Sequence, residues 1–162
     1  MIPVGFDLSF DRLIGNEGGY SNVVGDPGGE TNWGISKRSY PGLDIADLTR
    51  NDAKAIYERD FWKRGRMADY DPAIAFQVFD AAVNHGIETA VRLLQRAAGV
   101  ADDGHIGPVT IAAVKAKSVT DMLMLFISER LDFWTHLSTW PTFGRGWCRR
   151  AAQDLRYAAV DA

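Results

Sequence analysis

The feature that most constrains this chain is a helical spacing of apolar residues that runs nearly its whole length and breaks once. The break is a glycine-dense stretch from Gly18 to Gly34, which holds six of the 16 glycines. Such a pattern folds as all-α, with at most a small β-hairpin inside the interruption. At 162 residues the chain is long enough to bury a sizeable core without disulfides. Cys148 is alone, and His85, His105 and His136 are too scattered to form a ligand set, so neither a metal nor a cofactor is expected.

The first helix is expected from Asp7 or Ser9 to Gly18-Gly19, with Phe6, Phe10, Leu13 and Ile14 on its apolar face. Thr49-Arg50-Asn51-Asp52 reads as a capped start for a helix burying Ala53, Ile56, Tyr57 and Phe61. Asp71-Pro72 opens another, ended by Gly86, and Glu88 to Ala98 is closed by Gly99. Pro108 opens a short helix. Thr120 caps a long one that is apolar on nearly every side from Met122 to Ile127, which places it at the core centre. The last, Gly146 to Val160, turns Trp147, Ala151, Leu155 and Ala158 inward.

Lys and Arg number 18 against 21 Asp and Glu, a net charge of −3, which argues against a nucleic-acid binder. No apolar run approaches the roughly 20 residues of a membrane span. Residues Met1 to Asp7 lack the basic and apolar regions of a secretory signal, so synthesis in the cytoplasm and release by another route are expected. Two basic clusters, Lys63/Arg64/Arg66 and Arg145/Arg149/Arg150, are either solvated helix ends or faces toward an anionic polymer such as a bacterial wall.

Glu17 breaks the pattern. At 100° per residue it projects into the stripe of Phe10, Leu13 and Ile14, and it sits toward the C-terminal end of its expected helix. Desolvation and the helix dipole both raise a carboxyl pKa there, as a general acid near neutral pH requires. The bland alternative is a helix that frays early and leaves Glu17 in water. In the glycine-dense stretch that follows, Asp26 either forms an Asp-Pro turn or supplies the second carboxyl that glycoside hydrolysis needs. Tyr20, Asn22, Thr31 and Trp33 share that stretch, where backbone can approach a ligand closely and polar groups can meet sugar hydroxyls. Asn84, at a helix end, either reaches an N-acetyl group or is simply its polar last turn.

The run Glu17-Gly18-Gly19-Tyr20-Ser21-Asn22, followed by Asp26-Pro27-Gly28-Gly29 and Thr31-Asn32-Trp33-Gly34-Ile35-Ser36, resembles glycoside hydrolase family 108, N-acetylmuramidases of bacteria and phages. Tyr57 to Trp62, Phe79 to Gly86 and Phe143 to Trp147 continue the resemblance. Leu94 to Thr110 is similar to the peptidoglycan-binding element behind that catalytic region. The family in turn resembles the phage lysozymes, in which a Glu, an Asp and a Thr recur at set intervals. Eight residues separate Glu17 from Asp26, matching that interval; four separate Asp26 from Thr31, one fewer than in the phage enzymes.

The resemblance implies a lysozyme-like, two-lobed helical fold, with residues 1–86 as the catalytic lobe and 87–162 as a peptidoglycan-binding-like lobe packed into one unit. It implies a phage-type endolysin that lyses bacteria by cleaving the β-1,4 bond between N-acetylmuramic acid and N-acetylglucosamine. Its site of action would be the periplasm or the wall, reached by holin release or another export route. Catalysis falls to Glu17, Asp26 and Thr31, and substrate binding to Tyr20, Asn22, Trp33 and Asn84. Peptidoglycan is the expected partner, met by a monomer. Two other readings remain open at this level: a non-catalytic wall-binding or secretion-accessory protein, and a lytic transglycosylase, which needs the Glu but no water-positioning Asp.

Overall fold

The computed structural model describes residues 4–15, 19–23 and 29–162. Within them the chain is helical apart from one short hairpin, as its periodicity implies. Helix α1 (Phe6–Ile14) leads to strands β1 (Thr31–Asn32) and β2 (Ile35–Ser36). Helix α2 (Arg50–Tyr57) runs straight into a π-helical turn, Glu58–Lys63. There follow α3 (Pro72–His85), α4 (Ile87–Ala98), α5 (Pro108–Ala116), α6 (Val119–Thr135) and α7 (Trp140–Asp161).

Several boundaries follow the local signals. Thr49 and Asp52 form a reciprocal capping box, with Thr49 Oγ1 accepting from Asp52 N at 3.1 Å and Asp52 Oδ2 from Thr49 N at 2.9 Å. Asp71 caps α3 ahead of Pro72, and Gly99 closes α4 in the left-handed region. Others differ. Helix α1 starts at Phe6 behind an uncapped Gly5 and ends at Ile14, where Gly15 takes φ +55°, rather than running to Gly18. Ser118, not Thr120, caps α6, and α7 begins six residues early, at Trp140. Pro141 in the first turn of α7 has no N–H to waste, so the glycines at 144 and 146 are absorbed into the helix.

The centre of the core is α3 rather than α6. Residues Ala73 to Ala82 of α3 are all buried, and α1, α4, α6 and α7 pack around it. Helix α6 buries Met122, Leu123, Phe126 and Ile127 but leaves Met124 and Leu125 in solvent, so its apolar run overstates its burial. Likewise α7 turns Gly144, Ala151, Asp154 and Ala158 inward while Leu155 is exposed. The two ends of the chain meet: Arg12 donates to both oxygens of Asp161, at 2.5 and 2.9 Å, and stacks 4.2 Å from the centroid of Tyr157.

Candidate active site

The hairpin is what turns the glycine-dense stretch into a wall. Asn32 pairs with Ile35, and the two residues between, Trp33 and Gly34, both have positive φ (53° and 76°), the mark of a type I′ turn. The Trp33–Gly34 turn is fixed from behind. Asn32 Nδ2 donates to the carbonyls of Ile45, Ala46 and Leu48, and Trp33 Nε1 donates to Leu48 O at 3.0 Å. From α2, the phenol of Tyr57 donates to Trp33 O at 3.2 Å. A Cβ on Gly34 would stand 2.5 Å from that phenol oxygen, so the close approach requires glycine. On its other edge, Thr31 exchanges two backbone hydrogen bonds of 2.8 Å with Ser21, which closes the loop between them.

Between this hairpin and the helices lies a cleft of about 440 Å³, lined by Leu13, Ile14, Gly19, Gly34, Tyr57, Val83, Asn84 and Arg150. Gly34, Tyr57 and Val83 also line a second, wider groove of about 720 Å³, which continues past the π-helical turn to the start of α4. The two spaces thus border the same three residues and are taken together as one trough. A π-helical turn at its edge is a common device for re-aiming side chains at functional sites, and here it brings Asp60, Phe61 and Arg64 to the groove.

The floor of the cleft is charged and internally paired. Arg150 reaches in from α7 and clamps Asp80, and Asp80 is also held by Arg130 Nη2 at 2.7 Å. Arg130 donates its other arm to Asp154 at 2.9 Å, and all but Arg150 are buried. Two guanidiniums hold the Asp80 carboxyl below its ordinary range despite its burial. Asp154 is bonded by Arg130 alone among the described residues, and burial together with the nearby Asp80 pushes it up to about 7. Burial likewise pushes the Tyr57 phenol up to about 12, so it lines the cleft neutral, with its proton given to Trp33 O.

Of the residues expected from sequence, Asn84 lines the cleft, its Nδ2 donating to Asp80 O at 2.8 Å. Thr31 sits in the strand that forms the hairpin wall, paired to both Ser21 and Ser36. Trp33 lies half-buried behind the wall with its indole N–H engaged by Leu48, outside the lining of the trough. Tyr20 and Asn22 are exposed, and Tyr20 donates to Glu30 at 2.8 Å. Glu17 and Asp26 lie outside the described residues. The register that projected Glu17 into an apolar stripe ends three residues before it, because α1 stops at Ile14.

Sequence reasoning passed over Tyr57, Asp80, His85 and Arg150. Asp80 carried a legible signal, a charge inside the apolar stripe of α3, and Arg130 carried the same signal in α6. His85 accepts from the indole of Trp134 at 2.5 Å. Arg150, placed in a basic surface cluster, points inward instead.

Residues 10–86 match the family model described as Glycosyl hydrolase 108, and residues 89–152 match one described as Predicted Peptidoglycan domain. No curated protein matches the chain. Among solved structures, 11 chains match. One, described as the structure of Brucella abortus SagA, is 30% identical with a TM-score of 0.87, over 96% of this chain and 95% of that one. The mostly helical fold is therefore lysozyme-like, and the chain belongs to the glycosyl hydrolase 108 family, as a muramidase that cleaves peptidoglycan.

Proposed function

We propose that the trough is where the glycan strand lies and that Glu17 is the acid that protonates its glycosidic oxygen. The observation that carries this reading is the lining of the cleft: Ile14, three residues before Glu17, and Gly19, two residues after it, both stand in its wall. Glu17 is two residues from Gly19, a span of at most about 7 Å between their Cα atoms. Asp26, with Thr31, holds water or stabilises positive charge on the opposite face of the sugar ring. In support, Thr31 and Ser21 are pinned together at the two ends of the loop that contains Asp26. Asn84 contacts an N-acetyl group from the cleft floor, while Tyr20 and Asn22 contribute from the hairpin side and Trp33, anchored to Leu48 O, holds that wall in place.

The pairing of Arg150 on the floor favours this role. A bare guanidinium beside the cleft would hold a nearby carboxyl ionised, which a proton donor cannot be. Asp80 neutralises Arg150 and removes that penalty.

We further propose a phage-type, bacteriolytic endolysin, acting as a monomer and released to the wall by a holin or a comparable route. Residues 1–86 form its catalytic lobe and 87–162 its wall-binding lobe. No helix among the described residues is long and apolar enough to cross a membrane. The deciding experiment incubates purified peptidoglycan with wild type and with Glu17→Gln, counts new reducing ends, and examines the released muropeptides by mass spectrometry. Hydrolysis by wild type with near-complete loss in the variant is expected. A variant that cleaves at the parental rate refutes the acid assignment, and predominant 1,6-anhydro ends refute hydrolysis.

A further inference from the structure

The wider groove contains a donor whose direction is fixed by the core. Trp134 is fully buried, and its indole nitrogen can only donate, so His85 Nε2 must be the acceptor of the bond between them. The imidazole is therefore neutral with its proton on Nδ1, since a second proton would set two N–H groups against each other. Its surroundings agree: burial and the charges of Arg130 and Arg150 push His85 down to about 4. Among the described residues no group accepts from Nδ1, since the ring's one hydrogen bond is made through Nε2. The open space that His85 lines is the groove.

Arg64 lines the same groove. Its basic neighbours are paired, Arg59 with Asp60, Lys63 with Glu58 and Arg66 with Asp69, but among the described residues Arg64 has no ion pair. The two carboxylates on the groove rim are already engaged, Asp60 by Arg59 and Tyr40, and Glu88 by Arg92. Ile87, Glu88 and Thr89, the first turn of α4, line the same space, and that helix start has no side-chain cap. What the groove offers a ligand is donors and, in Arg64, a positive charge with no ion pair among the described residues.

We propose that this groove is a carboxylate subsite, in which Arg64 and the Nδ1–H of His85 hold an acidic group carried by the substrate beside its scissile glycan. The inference rests on the trough being the glycan site and names a substrate feature that site selects. Peptidoglycan carries such groups in two places, on its peptide stems and, once the peptide is removed, on the lactyl ether of muramic acid. A bare sugar polymer has neither.

The test compares soluble peptidoglycan fragments in three forms: intact, with carboxylates amidated by carbodiimide and ammonia, and stripped of peptides by an amidase. Wild type should show about a tenfold higher kcat/KM on intact than on amidated fragments, carried by KM, as expected for one charge-assisted hydrogen bond. Arg64→Ala, at an exposed position that does not endanger folding, should bring that ratio close to one. His85→Leu should do the same, and His85→Gln, which can still accept from Trp134 and donate to the groove, should restore it. A preference for stripped over amidated fragments assigns the carboxylate to the lactyl group, and its absence assigns it to the peptide. Equal rates of wild type on intact and amidated fragments, or a ratio retained in Arg64→Ala, overturn the subsite. Reducing ends from wild type that vanish in Glu17→Gln test the active-site assignment separately from these ratios.

Discussion

Arg150 lays its guanidinium along the Asp80 carboxylate, with Nε 2.9 Å from Oδ2 and Nη2 2.6 Å from Oδ1. A two-point pairing of this kind fixes orientation as well as charge. It joins α7 to α3 at the floor of the cleft, and through Arg130 it reaches Asp154 in the interior.

Asp80→Asn should cost about 3–5 kcal/mol of stability, because it leaves the buried Arg130 short of a counter-charge. Thermal unfolding measures this. The same change should also act at a distance on catalysis. Uncompensated positive charge stabilises the ionised form of a neighbouring acid and lowers its pKa, so the alkaline limb of the pH–activity profile should move to lower pH. Measured well below the melting temperature, an alkaline limb unmoved from wild type would separate the Asp80 network from the proton donor.

Gly34→Ala should cost about 1–3 kcal/mol and disturb the cleft, since alanine is strained at φ +76° and its methyl meets the Tyr57 phenol. Gly34→Ala combined with Tyr57→Phe should recover part of the loss, because it removes the oxygen that is struck. Urea unfolding of both variants checks the coupling, and strictly additive costs would show that the contact is unimportant. Gly42→Ala, with open space at its Cβ and no positive φ, serves as the neutral comparison.

Two buried groups should tilt stability against pH in opposite senses. Asp154, with its folded value near 7 against 3.8 in the unfolded chain, keeps its proton only when folded, so it costs stability as pH rises from about 4 to 7. His85, near 4 when folded and 6.5 when unfolded, costs stability as pH falls from about 6.5 to 4. Relative to wild type, Asp154→Asn should therefore gain about 1 kcal/mol or more on raising pH through that window. His85→Gln should gain on lowering it. Denaturation midpoints at several pH values read both, and parallel curves for all three proteins would contradict the assignment.

Asp26→Asn and Thr31→Ala should separate on the two sides of the reaction. Loss of the second carboxyl is expected to lower kcat by about a hundredfold or more, within the range of a removed electrostatic or base contribution. Thr31→Ala leaves the two backbone bonds to Ser21 and the register opposite Ser36 intact, so a fall in kcat without loss of stability would mark its hydroxyl as a water-positioning group. An Asp26→Asn enzyme of full activity would leave Glu17 working with some other partner.

Much of the architecture was readable from neighbours in the chain. The Thr49–Asp52 box, Asp71-Pro72 and Gly99 are local devices whose chemistry acts within a few residues, and each stands where its spacing implies. Where the outcome depended on competition, the local signal was insufficient. Gly15 stopped α1 before the double glycine did, and the apolar run of α6 was longer than the core had room to cover. The partners of the site residues were less legible still. Asp80 pairs across 50 residues with Arg130 and across 70 with Arg150, and no periodicity encodes such a match.

The sequence by itself therefore determined the helical class, most caps and turns, the glycine-dense segment and the carboxyls it carries, because these depend on backbone sterics and on contacts a few residues apart. Only the tertiary structure decided that α3 is central, that Arg150 faces inward, that Trp134 fixes the proton of His85, and that hairpin and helices enclose a trough. Those outcomes rest on burial, where a charge far along the chain is stable only once a partner arrives to replace the water it has lost.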